Sequence, residues 1–276
     1  MLLVWAKGLV FGKLNDLPVQ TSSWWGIHWG AWLRNENKKR IYHHYFRETA
    51  FVQWAIAAIE LKTKKIIANP VLEKLAKDEA GRHIFLFDKV IDDADLFGSV
   101  RAHRAYIRQH LFRELHPSKK TELANAVVPV ISMHIRRGDF LIGNQATPLI
   151  YFMHAVERIR HFIPGHIPIT IFTDAQPGEI DEILSLPGVK LADAHSDIVD
   201  LLLMSRSKLI VQSQSSTFSY WATFLSEAVA IMPKGDWQEQ IRGKEYEFPE
   251  IKWQPGDADT EALLEQTLRA YAATIT

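Results

Sequence analysis

The stretch Val127–Phe140, VVPVISMHIRRGDF, decides how the rest of the chain reads. An apolar run of strand character ends abruptly in His134, Arg136, Arg137 and Asp139. Two adjacent arginines at the carboxyl end of a buried strand suit an anion of fixed geometry. A guanidinium is permanently charged and grips phosphate oxygens through two parallel hydrogen bonds. In open α/β sheets the crevice beyond such strand ends holds the ligand, and a nucleoside diphosphate is the candidate that fits. An Arg–Asp pair that only stitches a loop is the plainer alternative.

Outward from that stretch the carboxyl-terminal half alternates regularly. Strand Val127–Ile135 precedes a helix over Pro148–Phe162, with Thr147 as its expected N-cap and proline at its first position. Strands follow at Ile167–Thr173, Val189–Ala192, Lys208–Gln212 and Ala228–Met232. Between and after them come helices at Glu179–Leu186, Asp197–Ser205 and Thr217–Leu225, and a closing amphipathic helix at Glu261–Ala273. Such alternation implies a parallel sheet covered on both faces. Its right-handed connections gather the strand ends along one rim.

The first half is irregular and rich in aromatics. Leu2–Leu14 and Ser99–Leu115 have helical spacing, whereas Leu17–Thr21, Arg40–Phe46 and His83–Phe87 read as strands. Pro117–Lys120 reads as a turn and a domain boundary. The expected division is an amino-terminal lobe over 1–122 and a carboxyl-terminal lobe over 123–276.

The chain has 276 residues and no cysteine, which excludes disulfides and thiolate metal sites. Lys+Arg and Asp+Glu both total 32, so no overall field draws in nucleic acid or anionic lipid. Positive charge has to act locally, in a pocket. No signal-peptide pattern follows Met1–Phe11, and no run reaches the length of a membrane span. The expectation is a soluble cytoplasmic protein with no nucleic-acid partner and no transmembrane segment. Its oligomeric state is not legible.

Three polar groups fall on the expected rim: His134–Asp139, then Thr173–Asp174 after the strand IPITIF, then Gln212–Ser219. In the last, Ser213, Ser215, Ser216, Thr217 and Ser219 crowd a strand-to-helix junction. Hydroxyls and free N–H groups at a helix start can hold phosphate oxygens; ordinary N-capping by Ser216 or Thr217 is the competing explanation. Asp200 stands in IVDLLLMS, a helix otherwise dominated by apolar side chains. A buried carboxylate needs donors, and guanine offers two adjacent N–H groups; a surface position explains the residue as well.

Together these pieces resemble the α-1,2-fucosyltransferases, inverting glycosyltransferases that use GDP-fucose. The family's His-x-Arg-Arg-x-Asp signature is matched by His134, Arg136, Arg137 and Asp139. Its Asp-Leu-x-x-Met-Ser pattern is matched by Asp200–Ser205. Its later Ser-[Ser/Thr]-Phe-Ser signature is matched over Ser215–Trp221. The resemblance covers Val127–Ser226 well and the first half loosely. It implies a GT-B-like α/β architecture of two Rossmann-like lobes, the first over 1–122 on the acceptor side and the second over 123–276, with a parallel sheet, holding the nucleotide sugar. It also implies roles. Arg136 would hold the β-phosphate and carry catalysis, and His134 would help fix the nucleotide. Asp200 would read guanine, and Ser216 with Thr217 would contact phosphate or fucose. Arg137 and Asp139 would support the loop, while Thr173, Asp174 and Ser215 complete the substrate-binding set. The implied partners are GDP-fucose as donor substrate and a glycan acceptor, a galactoside taking an α-1,2 linkage, with no cofactor and no metal. A GDP-sugar-binding protein without catalysis, or a fucosyltransferase of another linkage, are the alternatives.

The sequence departs from the family in three places. Members open with a Gly-Gly-Leu-Gly-Asn-Gln-type loop before the first helix, whereas this chain begins at Met1 inside that helix; the expectation is a truncated amino-terminal lobe or a missing loop. Ser215 stands where asparagine is usual. The position that carries a base in related enzymes falls near Asn144, which cannot serve, so the base is unassigned. Two Asp-x-Asp pairs, Asp93-Ala-Asp95 and Asp257-Ala-Asp259, mimic the metal signature of a different glycosyltransferase architecture and read more simply as caps and turns. His43 and His44, beside Tyr42 and Tyr45, suit either an acceptor pocket or a half-exposed strand. Trp24, Trp25, Trp29 and Trp32 carry the same ambiguity between core and carbohydrate platform.

Overall fold

The computed structural model describes residues 2–20, 45–47, 59, 62–75, 83–90, 95–143, 145–163, 166–243 and 247–275. The chain divides into two compact units, Met1–Lys120 and Thr121–Thr276. Trp24, Trp25, Trp29, Trp32, Tyr42, His43, His44, Asp93 and Asn144 lie outside the described residues.

In the first unit, α1 (Leu2–Asn15) buries Leu3, Ala6, Leu9, Val10 and Phe11. The Phe11 ring lies 4.7 Å from Phe85 and 5.4 Å from Phe87, which seats the helix against a parallel strand pair. That pair is β1 (Lys65–Ala68) and β2 (His83–Leu86), with Lys65 opposite His83. A short 3₁₀ turn, Arg101–His103, leads into α2 (Arg104–Glu114), which buries Ile107 and Leu111. The helix expected over Ser99–Leu115 is therefore shorter and enters through a tighter turn.

Two expectations need correction, and a third lies mostly outside the described residues. Leu17–Gln20 forms no strand; the Leu17 N–H instead donates to the Gly12 carbonyl at 2.9 Å and closes the end of α1. Of Arg40–Phe46, only Tyr45 and Phe46 are described, and Phe46 makes one isolated bridge to Leu115. Pro117–Lys120 is no turn but the start of α3 (Pro117–Asn125). Proline is at home there because the first helical residue has no N–H bond to lose.

The second unit holds a six-stranded sheet, every neighbour parallel, in the order β5-β4-β3-β6-β7-β8. The strands are β3 (Ile131–Ile135), β4 (Ile169–Thr173), β5 (Val189–Leu191), β6 (Leu209–Val211), β7 (Val229–Pro233) and β8 (Glu250–Trp253). The helices are α4 (Gly138–Ile142), α5 (Leu149–Phe162), α6 (Asp181–Leu184), α7 (Asp197–Met204), α8 (Thr217–Leu225) and α9 (Ala258–Ile275). The alternation read from the sequence is present, with ends moved by a few residues. Among the described residues no helix is long and apolar enough to cross a membrane.

All five residues of β3 are buried. Ile131, Met133 and Ile135 join Phe152 and Ile159 of α5 in the core, where a fully buried side chain of this kind contributes about 1.5–3 kcal/mol. On the other face Ser132 meets Ser207, hydroxyl to hydroxyl at 2.5 Å, which offsets the cost of burying both. The edge strand β8, absent from the sequence reading, is fastened by the buried Arg242. Its Nε donates to Glu250 Oε1 at 2.9 Å and its Nη1 to the Ala228 carbonyl at 2.8 Å.

Candidate functional site

The strand order reverses between β3 and β6, and at such a switch point the two following loops diverge and leave a crevice. The last paired residues are Met133 and Val211. Beyond them a side chain takes over from the backbone ladder. Ser213 Oγ donates to the His134 carbonyl at 2.9 Å and accepts the Arg136 N–H at 2.8 Å. The arginine loop and the serine-rich turn are thereby stitched together at the rim.

Arg136 is the hub of the loop. Its Nη2 donates to Asp139 Oδ1 and its Nη1 lies against Asp174 Oδ2, each at 2.5 Å. Asp174 also accepts the Arg137 N–H through Oδ1 at 2.8 Å. Gly138 makes this possible, because a Cβ there would stand 2.5 Å from Asp174 Oδ2. Thr173 braces the same corner, donating from Oγ1 to the Ile135 carbonyl at 2.6 Å and accepting the Ala175 N–H at 3.0 Å. Loop support, expected of Arg137 and Asp139, thus comes from Arg136 acting through Asp139 and Asp174. Arg137 keeps a buried Nε that meets no hydrogen-bond partner among the described residues.

His134 sits at the end of β3, buried, with its ring 5.0 Å from that of Phe218 in the first turn of α8. Burial, and then the charge of Arg136, pushes its pKa down to about 3. The imidazole is therefore neutral at ordinary pH and can only donate or accept a hydrogen bond. Its Nδ1 is buried without a partner among the described residues.

The serine-rich turn rests on Asp236, which follows β7. Ser215 adopts a left-handed backbone, φ 56°, strained for a side chain of its kind. Asp236 holds it there by accepting the Ser215 N–H at 3.1 Å. The same buried carboxylate accepts the Tyr220 hydroxyl and the Gln238 N–H. Burial, and then this bond, raises the Tyr220 pKa above its usual range. Ser216 occupies the N-cap position of α8 but makes no side-chain cap bond; Thr217 opens the helix on the exposed side. Thr147 is likewise no cap for α5, whose cap position is Pro148. Its Oγ1 instead accepts the Gln214 N–H at 2.8 Å, a third tie between the rim loops.

Asp200 lies in the first turn of α7, buried, with Oδ1 3.4 Å from His195 Nδ1. The structure therefore joins His134, Arg136, Arg137, Asp139, Thr173 and Asp174 in one web, and brings in Ser215–Thr217 through Ser213. Asp236, Thr147 and Gly138 were not anticipated in these roles. One signal could have found Asp236: it falls within three residues of a strand's carboxyl end, on the same rim as the recognised clusters.

Within the Asp-x-Asp pairs, Asp95 and Asp257 have local partners. Asp95 takes Arg101 Nη2 on both oxygens at 2.9 Å. Asp257 accepts Lys234 Nζ at 2.7 Å and the Thr260 N–H at 3.0 Å; these bonds hold its pKa down at about 2. Among the described residues no group of three or more candidate ligands gathers around a metal position.

No family model matches the chain, and no curated protein matches it. Solved structures do. A crystal structure of NodZ α-1,6-fucosyltransferase soaked with GDP-fucose is similar with a TM-score of 0.38 and 15% identity, covering 53% of this chain and 52% of that one. A structure of fucosyltransferase NodZ from Bradyrhizobium gives 0.37 and 16% over the same shares, 53% and 52%. The chain spans about half the length of the solved chains it matches.

Proposed function

We propose that the chain transfers fucose from GDP-fucose to a hydroxyl of a glycan acceptor, with inversion and without a metal. The acceptor is a galactoside and the new linkage α-1,2. The supporting observation is the Ser213 bridge at the switch point, which holds a paired-arginine loop against an uncapped, hydroxyl-lined helix start. It is joined by the motif resemblance over Val127–Ser226.

In this reading the β-phosphate lies between Arg136, Arg137 and the start of α8. A guanidinium has five N–H donors, so Arg136 retains donors for phosphate beyond its bonds to Asp139 and Asp174. Glycosyl transfer passes through an oxocarbenium-like transition state. Negative charge grows on the departing phosphate, and donors fixed beforehand stabilise that state more than bound substrate. One such donor is worth about 100- to 1000-fold in rate. Neutral His134 fixes the nucleotide by hydrogen bonding, Asp200 reads guanine, and Ser216 with Thr217 contacts phosphate or fucose.

A second reading, a GDP-sugar-binding protein without transfer, is favoured by one observation. Asp139 and Asp174, the carboxylates beside the paired arginines, are both engaged as ion-pair partners of Arg136, which leaves the catalytic base unassigned. The test is incubation with GDP-fucose and a panel of galactosides, with and without a chelator, following GDP release and mapping the product linkage. The proposal expects galactoside-dependent release, an α-1,2 product and indifference to the chelator. GDP-fucose binding without release would favour the second reading, another linkage would correct the acceptor site, and no binding would sink all three.

A further inference from the structure

The first unit holds a cavity of about 530 Å³ between α1, α2 and the chain at Phe46 and Arg47. Gly12 lets the chain fold back closely over the helix beneath it: a Cβ there would come 2.2 Å from Val19 Cγ2 and 3.0 Å from the Leu17 carbonyl oxygen. The turn that reverses the chain sets Asp16, left-handed at φ 53°, into the lining. Trp5 and Tyr106, both half-buried, supply aromatic surface. Lys13 Nζ stands 4.3 Å from the centre of the Tyr106 ring, and the His110 ring packs on the same tyrosine at 4.3 Å.

The charges in this lining sort simply. Arg113 is matched by Glu114, 3.1 Å away. Among the described residues no carboxylate lies within ion-pair distance of Lys13 or Arg47. His110 stays below its usual pKa through burial and then the charge of Arg113, so it adds no positive charge at neutral pH. Two cations against Asp16 leave a surplus of one, which suits a single negative charge. Aromatic faces take the C–H surface of a sugar ring, two cations take a carboxylate, and the Asp16 carboxylate accepts sugar hydroxyls. A doubly charged phosphate fits less well beside Asp16.

We propose that this cavity binds a saccharide carrying one carboxylate, a uronic-acid unit of the glycan that receives the fucose. The inference rests on the preceding reading only in calling that saccharide an acceptor; the binding is tested without donor. The full chain is titrated with lactose and with its counterpart oxidised to the uronate on the glucose unit, following chemical shifts by NMR. The uronate should bind roughly tenfold more tightly than lactose, as expected of charge-assisted contacts. That preference should collapse in Lys13→Gln and in Arg47→Gln, and at ~0.5 M salt, where screening shortens the reach of charge. Tyr106→Ala should weaken both ligands while Tyr106→Phe retains them. Equal affinity for the two sugars, or a preference that survives the Lys13→Gln/Arg47→Gln double variant, overturns the proposal. A failed transfer assay would not, since no step here uses GDP-fucose.

Discussion

Asp174 Oδ2 lies 2.5 Å from Arg136 Nη1, so the arginine at the end of β3 is ion-paired from the end of the neighbouring strand β4. Asp139 takes the other terminal nitrogen. The guanidinium is held in one orientation at the rim, with its backbone N–H fixed by Ser213. Such fixing in advance is what a charge-stabilising donor needs, because the group does not reorganise when the leaving group departs.

Arg136→Ala therefore separates activity from stability. The two carboxylates it frees are part-exposed, at 39% and 30%, and pairs of that kind are worth about 0–1 kcal/mol. Transfer should fall at least about 100-fold while the urea midpoint barely moves. Near-normal turnover in the variant would remove Arg136 from the mechanism.

Gly138→Ala tests whether the loop geometry matters apart from its charges. The added methyl meets Asp174 Oδ2, and the carboxylate has to leave both Arg136 and the Arg137 N–H to make room. GDP affinity should drop several-fold with every charged residue still present. Gly138→Ser should behave alike. Unchanged nucleotide affinity in both would mean that the Asp174 tie is dispensable.

Much of this was legible in the sequence, and the reasons are particular. β3, β4, β6 and β7 are buried on both faces, so their apolar runs stand out, and the polar residues after β3, β4 and β6 mark the rim. β8 escaped notice because EIKW alternates over only four residues and gains its place from Arg242 and Glu250, a pair eight residues apart with no motif to mark it. Thr147 and Ser216 sit where a cap is expected, yet one is recruited by Gln214 and the other makes no cap bond. Local propensity named the right residues and the wrong partners. Asp236 had only its place after a strand as a signal, because its three donors come from two other loop positions and a helix.

Asp236 should matter more for stability than its place in a turn implies. Asp236→Ala leaves the Ser215 N–H, the Gln238 N–H and the Tyr220 hydroxyl without their acceptor, at about 1–3 kcal/mol for each group that stays buried. Urea denaturation should show a loss of about 3 kcal/mol or more, against about 1 kcal/mol for Tyr220→Phe, which removes one bond only. A loss below that of Tyr220→Phe would refute the network.

His134 gives the fold a pH dependence whose sign is fixed. Its folded pKa, about 3, lies below the ordinary value of 6.5, so the unfolded chain takes up the proton first. Stability from this residue is present above pH 6.5 and is lost as pH falls from 6.5 toward 3, by at most about 1.4 kcal/mol per pH unit. His134→Phe should flatten denaturation midpoints compared at pH 7 and pH 4. Equal slopes in the two proteins would count against a neutral, buried imidazole.

The proposed function requires that the rim formed by the arginine loop and the serine-rich turn take a guanosine diphosphate. Calorimetric titration of the full chain with GDP measures this without an acceptor or a turnover step. Saturable binding to wild type is expected, at least about tenfold weaker in Arg137→Ala, which removes the buried, unpartnered Nε, and unchanged in Lys13→Gln, a residue of the first unit. Absence of GDP binding to wild type, or an Arg137→Ala protein that binds GDP as tightly, would contradict it.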